Sequence, residues 1–250
     1  MKPEQVNAAL DGLPNMGLDQ GRRIGGFIVE HKLRNCLELG FYHGVSSAYI
    51  AAALQDLGGG SLTTIDRCDD VGIGIRNLSP NIGEVLAKLA LQDYVTYFFE
   101  PTSYLWRLMR MLEDDARPRF DFCYIDGAHS WFVDGFAFFL VERLLRPGGW
   151  ILFDDLDWTY EDSESLKDTD LVRSMPKEEK MTPQVRKVYE LLVKPHPAFD
   201  NFFEEGSWGF AQKRPNIVGR MVRIAHLVGR GLKHPSKLGR ILRRPLQRRI

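Results

Sequence analysis

Five short apolar runs, spaced by helical patterns, constrain this chain more than any other feature. They are "NCLELGF", "SLTTID", "YVTYFFE", "FDFCYID" and "WILFDD". A helical pattern at 18–33 precedes the first run, and others lie between the runs at 45–57, 82–92, 103–115 and about 131–145. Strands separated by helices of about 10–15 residues form βαβ units, whose strands run parallel with both faces covered. After a polar stretch at 157–182 and a helical pattern at 183–194, "AFDNFFEEGSWGFAQKR" reads as two strands joined at Gly206-Ser207, an antiparallel hairpin at the sheet edge. The expected fold is α/β: a Rossmann-like, doubly wound, mostly parallel seven-stranded sheet with an antiparallel C-terminal hairpin.

Bulk properties exclude several classes. No apolar run is long enough to span a bilayer, and "MKPEQVNAALDGLP" lacks the apolar core of a signal peptide. Three widely spaced cysteines offer neither a disulfide framework nor zinc spacing, which fits a reducing cytoplasm. The net charge of zero hides an asymmetry. Residues 216–250 hold 10 Lys or Arg and no acid, leaving 23 basic against 33 acidic residues in the rest. The expected organisation is therefore a catalytic domain over 1–215, with 157–182 as a lid or insertion, and a basic amphipathic tail over 216–250. Such a tail suits a membrane surface, an acidic partner face or a second copy of the chain, and also salt-dependent contact with RNA.

The runs end on chemistry. "CLELGFYHGVSS" is a strand, a turn with Gly40 and Gly44, and a helix start, where backbone approaches a ligand closely and N–H groups are free. It is not the Gly-x-Gly-x-x-Gly fingerprint. Asp66 ends the second run, where such folds hold ribose hydroxyls, or else it caps a turn with Arg67. Thr102 and Ser103 follow the third run; they either meet a base edge or N-cap the next helix. Asp126 ends the fourth run, and Asp154 and Asp155 the fifth. In a parallel sheet these three carboxylates converge, and a divalent cation with oxygen ligands, Mg²⁺ above all, relieves their repulsion. His129 stands three residues beyond Asp126 as a candidate base, with His43 in the glycine turn as its competitor. Trp131, Phe132, Trp158 and Tyr160 flank this centre as core, lid or aromatic platforms for a substrate.

These residues, taken in order, resemble the class I S-adenosylmethionine-dependent methyltransferases. More narrowly they are similar to the metal-dependent O-methyltransferases that act on catechols, caffeoyl-CoA, antibiotics and sugars. The resemblance runs from about residue 16 to 213 through "DQGRRIGGFI", "LELGFYHGVSS", "TTID", "FDFCYIDGAHSWFVDGF", "LLRPGGWILFDDL" and "WGFAQK". It implies that Glu38, Gly40, Gly44 and Ser46 line the methionine end of S-adenosylmethionine, that Asp66 holds the ribose and that Ser103 lies by the adenine. Asp126, at the junction of cofactor and metal, would bind Mg²⁺ with Asp154 and Asp155. Many members carry Asn at the last position, so Asp155 makes this site more anionic. His129 matches a histidine that acts as base in the sugar-modifying branch. The implied activity is methyl transfer to a hydroxyl of a small acceptor, a sugar or glycoside first; the basic tail against an acidic body leads to the expectation of a homodimer or higher homo-oligomer. A phenolic acceptor, an RNA substrate reached through the tail, and a non-catalytic scaffold are the alternatives.

Overall fold

The central strands read as nearly unbroken apolar runs because both of their faces are buried. The computed structural model of the protein describes residues 1–68 and 75–215. Its elements are α1 (Pro3–Ala9), α2 (Leu18–His31), β1 (Asn35–Leu39), α3 (Val45–Asp56), β2 (Ser61–Arg67), α4 (Ile82–Lys88), β3 (Val95–Glu100) and α5 (Tyr104–Asp114). There follow β4 (Phe120–Ile125), α6 (Trp131–Leu144), β5 (Leu145–Phe153), α7 (Asp170–Ser174), α8 (Lys177–Met181), α9 (Gln184–Val188), β6 (Phe199–Glu205) and β7 (Trp208–Lys213). The seven strands form one sheet in the order β3-β2-β1-β4-β5-β7-β6. β1 to β5 are parallel, and β7 runs antiparallel to both β5 and β6.

Alternate residues of each strand feed two cores. Cys36, Phe122, Tyr124, Trp150 and Leu152 pack with α2 and α3 on one face. Leu37, Leu39, Cys123, Ile125, Ile151 and Phe153 pack with α5, α6 and α9 on the other. This period of two on a doubly covered sheet is what a buried parallel strand requires. Full burial of one such Leu or Phe side chain contributes about 1.5–3 kcal/mol. The register then sets the functional edge. Leu39 stands level with Ile65 and with Ile125, and Ile125 with Phe153. The next residue of each strand, Gly40, Asp66, Asp126 and Asp154, therefore falls at one carboxyl end.

Some boundaries depart from the sequence reading. α1 is unanticipated: it buries only Val6, and its start is held by the Met1 amino group on Gln55 and by Lys2 on Asp56. α4 stops at Lys88 and Ala90 turns left-handed (φ +54°), short of the expected end at 92. β5 begins at Leu145 because that residue already pairs with Phe120; the Pro-Gly-Gly is an irregularity within the strand rather than a turn before it. Helix 183–194 is α9 continued by a π-helical turn over Tyr189–Val193. Residues 157–182 bury Thr159, Tyr160, Ser163 and Val172 and contain two short helices. Residues Met1–Arg214 form one compact unit. The basic tail expected at 216–250 lies outside the described residues. Among the described residues no helix is long and apolar enough to cross a membrane.

Candidate active site

The glycine turn is fixed by sterics. Gly40 has φ +92°, and a Cβ there would lie 2.0 Å from the Asp126 carbonyl oxygen, so the β1 and β4 ends meet too closely for any side chain. Gly44 (φ +89°) begins α3 against Ile82. Asp66 closes the turn from the neighbouring strand: its Oδ2 accepts the Phe41 and Tyr42 N–H groups, both at 2.8 Å, and its Oδ1 that of Arg67 at 2.7 Å. His43 Nδ1 donates to the Pro80 carbonyl at 2.6 Å. Ser103 is the N-cap of α5, its hydroxyl accepting the Leu105 N–H at 3.2 Å, while Thr102 is exposed.

Glu38 lies fully buried beneath this turn. Burial pushes its carboxyl up to about 7; the hydroxyls of Ser46, Ser47 and Thr64 partly offset this, and the charge of Asp126 adds to it. The hydroxyl in direct contact is that of Ser47, donating to Oε2, a neighbour the sequence reading passed over for Ser46. Glu38 Oε1 is buried with no hydrogen-bond partner. Since the folded protein holds this proton above the ordinary carboxylate pKa, stability falls as pH rises from about 4.5 to about 7, and the penalty is complete above 7. Glu38→Gln is accordingly expected to unfold at higher urea than the parent at pH 8, by up to about 3 kcal/mol, and to match it near pH 4. Equal urea profiles at pH 8 would contradict this.

The acidic edge brings Asp126, His129 and Asp155 together: one ligand atom from each lies within 4.8 Å of the others. His129 Nε2 is 3.0 Å from Asp155 Oδ2 and 3.5 Å from Asp126 Oδ1. Burial favours the neutral ring, but the contacts with Asp126 and Asp155 outweigh it and raise the imidazole well above its ordinary value. Both His129 (φ +51°) and Asp155 (φ +54°) hold left-handed backbone, a conformation that costs most side chains about 1–2 kcal/mol. Strain of this kind gathers where geometry serves function.

Asp154 stands one step back. Its Oδ1 accepts the Asp155 N–H at 2.6 Å and its Oδ2 meets the Tyr124 hydroxyl. That hydroxyl is also 3.1 Å from Asp126 Oδ2, and a phenol has one proton to give. Burial, with the charges of Asp126 and Asp155, pushes Asp154 up to about 7. Tyr124, read in the sequence only as strand core, thus links two of the three carboxylates. The Trp158 ring sits 4.8 Å from the His129 ring and 4.8 Å from that of Tyr160, whereas Trp131 and Phe132 are exposed.

The carboxylates of Asp126 and Asp155, in reach of one point beside His129, fit a divalent cation, and burial together with the Asp155 charge raises Asp126. The unpartnered Glu38 oxygen and the glycine turn beside it fit a ligand that carries a hydrogen-bond donor.

Comparison with known proteins bears on the fold. Residues 37–156 match the family model described as a methyltransferase domain. No curated protein sequence matches the chain. Among solved structures it is similar to an O-methyltransferase from Bacillus cereus in complex with SAH, at 22% identity, TM-score 0.56, and coverage of 84% of this chain and 87% of that one. It is also similar to TomG from Streptomyces achromogenes, an O-methyltransferase involved in tomaymycin synthesis and solved with SAM, at 19% identity, TM-score 0.59, and coverage of 85% and 89%. A third is the SAH-bound methyltransferase PaMTH1 of Podospora anserina, at 19% identity, TM-score 0.58, and coverage of 85% and 86%. Residues 37–156 thus match the model of a methyltransferase domain, and the chain shares the fold of these solved O-methyltransferases.

Proposed function

We propose that the protein is a Mg²⁺-dependent O-methyltransferase that moves a methyl group from S-adenosylmethionine to a hydroxyl of a small acceptor, a sugar or glycoside in the first instance. The observation that carries the proposal is the single edge on which the glycine turn, Glu38 and Asp66 stand beside Asp126, His129 and Asp155. The first group suits a methyl donor and the second a hydroxyl acceptor.

Glu38, Gly40, Gly44 and Ser46 would hold the amino-acid end of the cofactor, with Glu38 Oε1 accepting from its ammonium group; Asp66 would serve the ribose and Ser103 the adenine. S-adenosylmethionine supplies, when bound, a methyl group on a sulfonium that an oxygen nucleophile can attack in line. Asp126 and Asp155 would hold the cation, with Asp154 steadying both through Tyr124 and the Asp155 backbone. A bound divalent cation supplies Lewis-acid stabilisation of an ionised acceptor oxygen. His129 accepts the acceptor's proton at Nε2. It can do so only as a neutral ring, and engaging Asp126 and Asp155 elsewhere removes the attraction that otherwise keeps it protonated. Trp158, its ring tilted against that of His129, offers an apolar face for a ring substrate, and the segment 157–182 would shield the acceptor from water. Holding donor and acceptor in line is itself worth roughly 7–11 kcal/mol of the barrier.

The test is transfer of labelled methyl from S-adenosylmethionine to a panel of glycosides and phenols, with and without chelator. Transfer to a glycoside that stops in chelator and returns with Mg²⁺ is expected. Undiminished transfer in chelator would remove the cation from the proposal, and transfer to phenols alone would remove the sugar.

A further inference from the structure

The turn that carries His129 is gripped from below by side chains with no place in the reaction just described. Gly127 lies on the Tyr104 ring; a Cβ there would come within 2.6 Å of Tyr104 Cε1. The Tyr104 hydroxyl, buried at the start of α5, donates to Asp134 Oδ1 and faces the Ala128 N–H at 3.4 Å. Asp134, buried in the first turn of α6, accepts the Ser130 N–H on its Oδ2 at 2.8 Å. Gln184, the buried first residue of α9, accepts the Trp131 N–H on its Oε1 at 2.8 Å. On the other side the Asp126 N–H donates to the Leu39 carbonyl at 2.9 Å. The backbone donors of residues 126, 128, 130 and 131 are thus all engaged, and His129 is the left-handed residue in their midst.

We propose that Tyr104 and Asp134 are positioning residues that hold the 126–131 turn in the conformation placing His129 Nε2 between Asp126 and Asp155. The inference rests on the reading of His129 as the proton acceptor. A helix cap alone needs only the Ser130 N–H on Asp134, as Ser130 already caps α6 through the Val133 N–H. The added hydroxyl comes from a different helix and fixes the residue next to His129. An unfixed turn relaxes out of the left-handed state, and the imidazole swings away from both carboxylates.

Three variants and two readouts test this. Tyr104→Phe removes one hydroxyl and keeps the ring beneath Gly127 and the Asp134 cap of α6. It should lower kcat about tenfold to a hundredfold with the KM for S-adenosylmethionine unchanged, since small misplacements of a reacting group cost that much. The His129 ring resonances, assigned by their loss in His129→Ala, should shift in Tyr104→Phe. Asp134→Ala should act the same way. Asp134→Asn keeps an oxygen for the Ser130 N–H and an amide for the Tyr104 oxygen, and should recover most of the lost turnover. A lower melting temperature with unmoved His129 resonances, or with kcat unchanged in the folded fraction, would overturn the proposal. The resonances report on the turn whether or not the parent protein methylates the acceptors supplied. A silent assay with shifted resonances would therefore count against the function and leave the positioning role supported.

Discussion

Asp126→Asn is expected to lower turnover by about 10²–10⁴-fold, the scale of losing a group that handles the transferred proton or the charge beside it. Asp126 sits at the meeting point of the acidic edge and the glycine turn. Its Oδ1 is 3.5 Å from His129 Nε2, its Oδ2 is 3.1 Å from the Tyr124 hydroxyl, and its carbonyl abuts Gly40. Asparagine keeps the shape and one acceptor oxygen, so the fold should survive. What goes is the negative charge, and with it the main partner for a cation. The loss should therefore appear in kcat, with the affinity for S-adenosylmethionine changed by less than about tenfold. Steady-state kinetics alongside a cofactor titration separates the two, and an Asp126→Asn protein with near-normal kcat would remove Asp126 from the chemistry.

Gly40→Ala should be the most damaging glycine-to-alanine substitution among the described residues. The residue needs φ +92°, and the added methyl would sit 2.0 Å from a backbone oxygen and 2.7 Å from the Gly127 Cα, neither of which a rotamer change can move. Parting β1 from β4 at that point disturbs the glycine turn and the Asp126 turn together. A loss of about 3–5 kcal/mol in urea unfolding, or failure to yield folded protein, is expected. Gly26→Ala is the natural comparison: it lies in α2 with nothing within 4 Å of the added methyl, and should stabilise by up to about 1 kcal/mol. Similar stabilities for the two variants would contradict the account of the turn.

What the sequence discloses and what it conceals have a common physical root. Strand ends were legible because a buried parallel strand is an apolar run that stops where its edge meets solvent, so Asp66, Asp126 and Asp154 announce themselves. Their convergence follows from parallel register alone. Contacts that depend on which side chains meet across elements leave no periodic trace. Tyr124 reads as one more strand residue, yet its hydroxyl joins Asp126 to Asp154. Asp134 reads as a polar residue early in a helix, and nothing local says that Tyr104, thirty residues back, donates to it. Gln184 follows a polar stretch and still reaches Trp131. Ser103 was open between a base edge and a cap, and in the folded chain its hydroxyl caps α5. α1 escaped notice because it buries a single residue, too little apolar surface to set a period.

The most direct measurement is a calorimetric titration of S-adenosylmethionine into the purified protein. Saturable one-to-one binding, weakened in Glu38→Gln, is the predicted result. A folded protein that takes up no cofactor at millimolar concentration would contradict the central claim, and the glycine turn would then be only the place where two strands pass too closely for a side chain.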